Sequence, residues 1–229
     1  MDQYLGLLLA GGRGTRLGRI SRFVSKAFVP VVDRPVFEYG LALLRASRRI
    51  GRIVVLANTE NAAAFRGAGF DVVVQDDNEV RDIFSGWRYV RDCLAWAGGG
   101  VLMPCDNVSD VAVDEVITAL EADRADVAFS LFEVADRDKL ANMGVFDPAS
   151  GSVRYRPQLF VSNLGVIAPY AVRAGFEPPR GAGDADVFNG SRTAVRRHEG
   201  FWYDIGDPAS LVACICGLAA VSAAREPHA

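Results

Sequence analysis

The chain has 229 residues, of which 50% are hydrophobic, and its formal net charge at pH 7 is −3. This length suits one sizeable α/β domain, and the composition excludes a disordered or collagen-like protein. So small a net charge gives no general attraction for nucleic acid or anionic membranes, and we expect neither as a partner. Four cysteines without C-x-x-C spacing and only two histidines argue against a zinc site or a disulfide framework.

The ends of the chain favour a soluble, cytoplasmic protein. A strand pattern starts almost at the first residue, so we expect no signal peptide. The apolar segment at residues 211–224 contains Ser and Gly and is too short to cross a bilayer. We therefore expect free thiols in a reducing cytosol.

The first predicted element is a buried strand at residues 4–10, because this apolar run is too short for an ordinary helix. It ends at the sequence GGRGTR. The three glycines, Gly11, Gly12 and Gly14, allow a tight turn and a close approach of the backbone to a ligand. Backbone amides exposed by such a turn bind anionic oxygens, so the pattern predicts a nucleotide phosphate site.

Two better-known glycine loops do not fit this segment. The dinucleotide fingerprint needs a glycine at position 17, where Leu17 stands, and a Walker loop needs Gly-Lys, which occurs nowhere in the chain. Five basic residues lie in or just after the loop: Arg13, Arg16, Arg19, Arg22 and Lys26. They predict binding of a polyphosphate, and the alternative is a solvated charged surface.

The segment LAGGRGTRL, followed by SKAFVPVVDRPVFEY, resembles the signature of the sugar-1-phosphate nucleotidylyltransferases, in particular that of the glucose-1-phosphate thymidylyltransferases. The match is strong over residues 7–39, and weaker islands reach residue 211. The resemblance implies a Rossmann-like nucleotidyltransferase fold. It also implies an enzyme that joins a nucleoside triphosphate to a sugar 1-phosphate, releases pyrophosphate and uses Mg²⁺.

The resemblance also assigns roles to residues of the first segment. Arg16 would bind the departing pyrophosphate and Lys26 would stabilise the α-phosphate. The nucleotide-binding residues that it implies are Leu9, Ala10, Gly11, Gly12, Gly14, Thr15 and Gln75.

Further along the chain, predicted helices and strands alternate. The helices are expected at residues 36–47, 60–66, 80–97 and 113–122, and the strands at residues 52–57, 70–74, 101–103 and 126–133. This alternation predicts a mostly parallel, doubly wound central sheet. The later segments are short strands at residues 144–146, 152–154, 160–167 and 193–197, a mobile surface loop at residues 181–190, and a final helix at residues 208–224 capped by Asp207.

We expect one α/β nucleotidyltransferase domain over residues 1–229. Residues 1–133 would form the nucleotide-binding part, and residues 134–206 would contain a small antiparallel, acceptor-binding subdomain. Residues 207–224 would form the C-terminal helix.

Two aspartates are the candidate metal ligands. Asp106 follows the strand at residues 101–103, at the edge where parallel sheets bind ligands, and Asp204 lies in the sequence FWYDIGD. Each could instead be a turn or capping residue. The resemblance makes both of them Mg²⁺ ligands, with Cys105 standing where the family has a glycine.

The acceptor site is expected at Gly144, Tyr155 and Arg156. By resemblance, Gly144 approaches the sugar, and Arg156 replaces a phosphate-binding lysine with a bidentate fork. Tyr155 replaces a glutamate that contacts sugar hydroxyls. The alternative for residues 154–156 is an edge strand with exposed arginines.

The identity of the substrates stays open. The segment that follows Gln75 departs from the family pattern, so the base is not fixed and thymidine is only one candidate. The alternatives are a cytidylyltransferase for a polyol phosphate, cyclitol phosphate or phosphonate, and a non-catalytic nucleotide-binding regulatory subunit. The expected partners are a nucleoside triphosphate and a phosphorylated small molecule, and homo-oligomer formation is left open.

Overall fold

The computed structural model describes residues 3–225 of the chain. The strands are β1 (Tyr4–Ala10), β2 (Pro30–Val31), β3 (Arg34–Pro35), β4 (Ile50–Ala57), β5 (Val72–Val74), β6 (Gly100–Pro104), β7 (Asn107–Ser109), β8 (Val127–Glu133), β9 (Gly144–Asp147), β10 (Ser152–Tyr155), β11 (Leu164–Val172), β12 (Thr193–Arg197) and β13 (Trp202–Asp204). The helices are α1 (Phe37–Ala46), α2 (Thr59–Gly67), α3 (Ile83–Leu94), α4 (Val113–Ala122), α5 (Arg137–Leu140), α6 (Asp184–Gly190) and α7 (Pro208–Arg225).

One large sheet forms the centre of the fold, with the strand order β10-β9-β11-β6-β1-β4-β5. Strand β8 also pairs with β11, and β12 pairs with β8. Strands β6, β1, β4 and β5 are parallel, whereas β11 is antiparallel to β6, β8 and β9. Helices cover both faces, since Leu8 lies under α1 at Gly40 and Leu9 lies under α3 at Gly86. The predicted α/β fold with a mostly parallel central sheet is confirmed.

Helix α3 is shorter than the sequence predicts. It begins after Asp82, whose carboxylate accepts a 2.8 Å hydrogen bond from the backbone N–H of Ser85 in a capping box. It ends before Ala95, which has a left-handed backbone with φ 48°. The predicted helix at residues 80–97 is therefore wrong at both ends, because its apolar periodicity continues past the caps. Trp87 is fully buried against the sheet, as expected for the core side of this helix.

The predicted mobile loop at residues 181–190 is also wrong. Its last seven residues form α6, which packs Val187 and Phe188 into the core. The ring of Phe188 lies edge-on to Phe84 of α3, with ring centroids 5.2 Å apart. Gly, Asp and Asn in this segment suggested a loop, but the two buried side chains hold it as a helix.

Strand β11 starts later and ends later than predicted. Ser162 forms a turn ahead of it, because its hydroxyl donates to the Phe146 carbonyl and accepts a 3.1 Å hydrogen bond from the Leu164 N–H. Pro169 lies inside the strand, where its missing N–H falls in a shift of register between Ile167 and Ala171. The expected strand at residues 160–167 is therefore replaced by Leu164–Val172.

A second, smaller core joins the glycine loop to the C-terminal helix. Its fully packed members are Leu17, Val29, Val31, Val36, Val108, Ile205, Leu211 and Cys214. Asp207 caps α7 as predicted, since its Oδ1 accepts a 2.8 Å hydrogen bond from the Ser210 N–H. This core holds the segment after β1 against β13, so residues far apart in sequence meet at the cleft described below.

Within residues 3–225, no helix has both the length and the apolar character needed to cross a bilayer. All four cysteines are free, in agreement with the sequence analysis.

Candidate active site

A cleft of about 790 Å³ opens at the carboxyl ends of β1, β5 and β6. Its walls at this edge include Gly11 and Gly12 after β1, Gln75 after β5 and Asp106 after β6. Tyr155, at the end of β10, lies on the wall formed by the antiparallel part of the sheet. Open α/β sheets bind ligands outside the carboxyl ends of their parallel strands, so this cleft is the candidate active site.

The glycine loop is open to the cleft at Gly12. A Cβ placed at Gly12 would have no atom within 4 Å, so the backbone is free to meet a ligand there. Gly14 has φ 64°, and a Cβ there would lie 2.8 Å from Cβ of Lys26. Only glycine both adopts this positive φ readily and leaves room for the Lys26 side chain, so Lys26 can pack under the loop.

Lys26 and Asp106 form a salt bridge between Nζ and Oδ2. The Lys26 side chain is only 10% exposed and the Asp106 side chain 18%. Burial lowers the pKa of Lys26, but the charges of Asp106 and Asp204 outweigh it, and the pKa is raised overall. Burial acts to raise the pKa of Asp106, but the Lys26 ammonium holds it below its usual range. Both groups are therefore charged at neutral pH.

Asp204 lies beside Asp106 because β7 and β13 pair as a short antiparallel ribbon in which Asp204 is opposite Asn107. Burial and the charge of Asp106 raise the pKa of Asp204. The guanidinium of Arg16 lies beside Asp204. A Cβ placed at Gly206 would be 3.0 Å from Nη2 of Arg16 and 3.3 Å from Oδ2 of Asp204.

Asp106 and Asp204 are the groups of this cleft that could hold a divalent cation. Two adjacent, buried carboxylates repel each other, and a bound cation would relieve this repulsion. Hard cations such as Mg²⁺ prefer oxygen ligands and commonly take one or two carboxylates together with substrate phosphates. In the described part of the chain, no three His, Cys, Asp or Glu side chains gather into a metal-binding group. The remaining ligands would therefore come from substrate and water.

A hydrogen-bond chain fixes the orientation of Asp106. Nδ2 of Asn107 donates a 3.0 Å hydrogen bond to Oδ1 of Asp106, and Nε1 of Trp202 donates a 2.8 Å hydrogen bond to Oδ1 of Asn107. The Trp202 ring packs on Phe132, with ring centroids 6.1 Å apart. Sequence analysis did not identify Asn107 or Trp202, although each lies within two residues of a predicted metal ligand.

The opposite end of the cleft, near Gln75, contains a second polar chain. Nε2 of Gln75 donates a 2.7 Å hydrogen bond to Asp77, which also pairs with Arg13 at 2.9 Å. The Gln75 side chain packs directly on Gly11, since a Cβ at Gly11 would overlap its amide oxygen. Arg13 is therefore engaged with an acidic partner at the rim instead of lining the cleft.

The expected acceptor residues meet on one wall. Tyr155 lies directly opposite Gly144 in the β9–β10 pair, and its ring covers the place where a side chain at 144 would lie. Arg156 has φ 48°, a left-handed conformation that a non-glycine residue adopts at a cost of about 1–3 kcal/mol. Such strain is often found at functional sites.

Five further polar residues line the cleft but were not singled out from the sequence: Arg81, Asp82, Asn142, Tyr170 and Asp184. Asp82 lies in the acidic segment after Gln75, which was noted only as a departure from the family pattern. Asp184 lies in the segment that was predicted as a mobile loop. The position of Asp184 depends on α6 packing against α3, a contact between distant parts of the chain that local patterns do not reveal.

Most of the predicted site residues meet in this cleft. Those that line it are Leu9, Gly11, Gly12, Arg16, Lys26, Gln75, Asp106, Gly144, Tyr155, Arg156 and Asp204. Ala10, Gly14 and Thr15 are not among the lining residues. Of the five basic residues in the first segment, Arg16 and Lys26 line the cleft, whereas Arg13, Arg19 and Arg22 do not.

The chain is similar to several nucleotidyltransferases. It is 40% identical over 74 residues to glucose-1-phosphate thymidylyltransferase of Neisseria gonorrhoeae, covering 31% of this chain and 26% of that enzyme. It is 26% identical to a low-salt glycan biosynthesis nucleotidyltransferase of Haloferax volcanii, covering 90% of this chain and 64% of that protein. It is also 36% identical over 72 residues to a protein of Thermococcus kodakarensis named as a molybdenum cofactor guanylyltransferase, covering 31% of this chain and 33% of that protein. The chain therefore matches less than two thirds of the length of each relative.

Solved structures share the fold over almost the entire chain. A Bacillus anthracis protein described as a glucose-1-phosphate thymidylyltransferase superposes with a TM-score of 0.79 at 18% identity, covering 99% of this chain and 97% of that one. A UDP-glucose pyrophosphorylase from Acinetobacter gives a TM-score of 0.73 at 16% identity, covering 95% of this chain and 93% of that one.

The family profile described as the MobA-like NTP transferase domain matches residues 6–155. This match includes the glycine loop, Lys26 and Asp106, whereas Arg156 and Asp204, which the sequence resemblance also identified, lie beyond it. It covers well over half of the chain, so the protein belongs to the MobA-like NTP transferase domain family.

Proposed function

We propose that this protein transfers a nucleotidyl group from a nucleoside triphosphate to a phosphorylated small molecule and releases pyrophosphate. The observation that carries the proposal is the meeting of Arg16, Lys26, Asp106 and Asp204 beside the open glycine loop. The named activities of the relatives in Neisseria and Thermococcus support it. A regulatory, non-catalytic protein would not need these four groups together.

The reaction requires little covalent chemistry from the protein. An oxygen of the acceptor phosphate forms a bond to the α-phosphorus, and the bond from that phosphorus to pyrophosphate breaks. The attacking phosphate is already an anion, so no general base is needed. The difficulty is that two anions must meet in line, so catalysis depends on positioning and on neutralising negative charge.

Three basic side chains would divide this work. Lys26 would contact the α-phosphate from under the glycine loop, and Arg16 would bind the leaving pyrophosphate at the other side of Asp204. Arg156, on the acceptor wall, would hold the acceptor phosphate through two parallel N–H bonds. All three residues line the same cleft, which fits substrates arranged end to end.

Asp106 and Asp204 would hold Mg²⁺ in this proposal. When bound, the ion would neutralise charge on the triphosphate and on the developing transition state. Lys26 keeps Asp106 ionised, and Asn107 and Trp202 fix its orientation, so one ligand is held ready for the ion.

The proposal extends to substrates, domain organisation and location. The acceptor would be a sugar 1-phosphate or a similar phosphorylated compound, and thymidine, cytidine, uridine and guanosine triphosphates are all candidates for the donor. Residues 1–133 would form the nucleotide-binding part and residues 134–206 would contain the acceptor-binding subdomain, within one domain. Such substrates are cytoplasmic metabolites, so the protein would act in the cytoplasm.

A pyrophosphate-release assay tests the proposal directly. Four nucleoside triphosphates would be screened against a panel of sugar 1-phosphates, polyol phosphates and phosphonates, with Mg²⁺ present. We expect release with at least one pair of substrates and none with Lys26→Ala, while Arg22→Ala, a basic residue that does not line the cleft, retains activity. Nucleotide binding without pyrophosphate release from any pair would favour the regulatory alternative.

A further inference from the structure

Two carboxylates share the N-terminus of α3 at the acceptor wall. Asp82 caps the helix through the Ser85 N–H. Asp184, from α6, reaches the same turn and accepts a 3.2 Å hydrogen bond from the Phe84 N–H. Both line the cleft, and the side chain of Tyr155 lies beside the Asp184 carboxyl.

This arrangement is electrostatically unfavourable in the free protein. Burial and the nearby charge of Asp82 raise the pKa of Asp184 to about 7, despite the helix N–H groups that act in the opposite direction. One carboxylate would suffice to cap the helix, and Asp82 already does so. The second carboxyl group is thus placed at the cleft at a cost in stability. Groups held in this way are frequently there to meet a ligand.

Tyr170 provides an independent indication that a ligand binds here. It is only 6% exposed, and its ring packs between Phe84 and Phe188. Its side chain lines the cleft next to Tyr155 and Asp184. Within residues 3–225, its hydroxyl forms no hydrogen bond with another residue and borders the cleft, where it can donate to or accept from a substrate group.

We propose that Asp82, Asp184 and Tyr170 form a subsite for a protonated amine on the acceptor. The inference rests on the proposed function and narrows its acceptor class to phosphorylated amines such as amino-sugar phosphates or amino-alcohol phosphates. Arg156 would bind the phosphate at one end of the acceptor, and the two carboxylates would bind the ammonium at the other.

The charges in the subsite favour an amine over a hydroxyl group. A hydroxyl is neutral and leaves the repulsion between Asp82 and Asp184 in place, whereas an ammonium carries three N–H donors and a positive charge. The electron-rich faces of aromatic rings also attract cations, and Tyr155 and Trp202 lie on the same cleft. Asp106 and Asp204 lie beside Lys26 and Arg16, whereas neither Asp82 nor Asp184 forms an ion pair within residues 3–225, although Arg81 also lines the cleft. An ammonium group on the acceptor would supply the positive charge that these two carboxylates lack.

Matched pairs of acceptors test the subsite. Glucosamine 1-phosphate is compared with glucose 1-phosphate, and 2-aminoethyl phosphate with 2-hydroxyethyl phosphate, so that each pair differs only by amine against hydroxyl. Dissociation constants are measured by calorimetry on the full-length protein, and pyrophosphate release is followed in parallel. We expect at least one amine to bind about tenfold or more tightly than its hydroxyl partner, as typical of hydrogen bonds between charged groups.

Two conservative variants locate the effect. Asp184→Asn keeps an oxygen for the Phe84 N–H but loses the charge, and Tyr170→Phe removes only the hydroxyl. Both should reduce the preference for the amine, and Asp184→Asn should abolish it. Asp186→Asn is the control, because Asp186 lies on the same helix, is exposed and does not line the cleft.

The outcomes separate this inference from the proposed function. Pyrophosphate release with equal use of amine and hydroxyl acceptors would overturn the inference and leave the proposed function standing. An amine preference that depends on Asp184, without pyrophosphate release from any pair, would support the subsite and contradict the proposed function. Equal affinities within both pairs, or a preference that survives in Asp184→Asn, would overturn the inference.

Discussion

The indole N–H of Trp202 donates a 2.8 Å hydrogen bond to the side-chain carbonyl of Asn107. These two residues lie on opposite strands of the β7–β13 ribbon, and Asn107 in turn donates to Asp106. The indole fixes which way the Asn107 amide points, because an acceptor oxygen must face Trp202 and the amide nitrogen must then face Asp106. Trp202 is thus a positioning residue that acts on the proposed metal ligand through Asn107.

Trp202→Phe removes this donor while keeping most of the ring. With the amide free to rotate, Asp106 would lose its fixed orientation, and we expect kcat to fall about tenfold, equivalent to about 1.4 kcal/mol. KM for the nucleotide should change little, since Trp202 acts on Asp106 through Asn107. Steady-state kinetics of both proteins measure this.

Trp96→Phe is the matched control for that experiment. Its indole donates a 3.0 Å hydrogen bond to the Gly99 carbonyl, away from the cleft. The Trp96→Phe variant should lose a comparable hydrogen bond, worth about 1 kcal/mol of stability, and its kinetics should be unchanged. Equal loss of kcat in both variants would show that the Trp202 effect is one of general stability.

Mg²⁺ binding is predicted to depend on Asp106 and Asp204 together. A cation that binds the folded state stabilises it in proportion to its saturation, so Mg²⁺ should raise Tm of the wild-type protein in the presence of a nucleoside triphosphate. Asp204→Asn should abolish this shift and lower kcat by about 10² or more. Thermal melts across a Mg²⁺ titration provide a measurement that does not depend on turnover.

The control for the metal prediction is Asp71→Asn. Asp71 forms an exposed ion pair with Arg52 on β4, remote from the cleft. It should retain the full Mg²⁺-dependent rise in Tm. If Asp204→Asn retained the same rise, the assignment of Asp204 as a metal ligand would be incorrect.

The sequence was most informative where the chemistry is local. Gly12, Gly14 and Lys26 lie within one short segment, so their composition and spacing were enough to predict a phosphate site. The strand before them was predictable because a buried parallel strand reads as a continuous apolar run. Asp106 followed from its position immediately after another such strand.

The parts that could not be predicted depend on contacts between distant segments. Strands β7 and β13 have only three residues each and form because they pair with each other, so the chain from Trp202 to Asp106 left no local pattern. Asp184 was hidden in a Gly- and Asp-rich segment whose helix is held by the burial of Phe188. In both cases tertiary packing decides the structure, and local propensity does not.

Arg16 and Arg19 allow a direct test of the basic segment. Both side chains are exposed and lie three residues apart, but only Arg16 lines the cleft. Arg16→Ala should lower kcat by about 10² or more, because it removes charge from the leaving pyrophosphate, and should leave binding of a nucleoside monophosphate almost unchanged. Arg19→Ala should behave as wild type in both measurements. Similar losses in the two variants would indicate a diffuse charged surface.

The carboxyl group of Asp184 should make the protein less stable as the pH rises. Its neighbours are Asp82, Tyr155, Tyr170 and, farther away, Arg156, and its pKa of about 7 lies above the ordinary value of about 4. Between these two values the folded state retains a proton that the unfolded state has lost. The contribution of Asp184 to the free energy of unfolding therefore falls as the pH rises from about 4 to about 7, and it is constant above that range.

Asp184→Asn removes this titration and retains an acceptor for the Phe84 N–H. We expect the variant to gain stability relative to wild type by about 2–3 kcal/mol between pH 5 and pH 8.5. Urea unfolding at the two pH values measures this difference, and groups that titrate in both proteins cancel in the comparison. Asp186→Asn, on the same helix but exposed, should show no such change with pH. A stability difference between Asp184→Asn and wild type that is the same at both pH values would mean that Asp184 is ionised throughout this range.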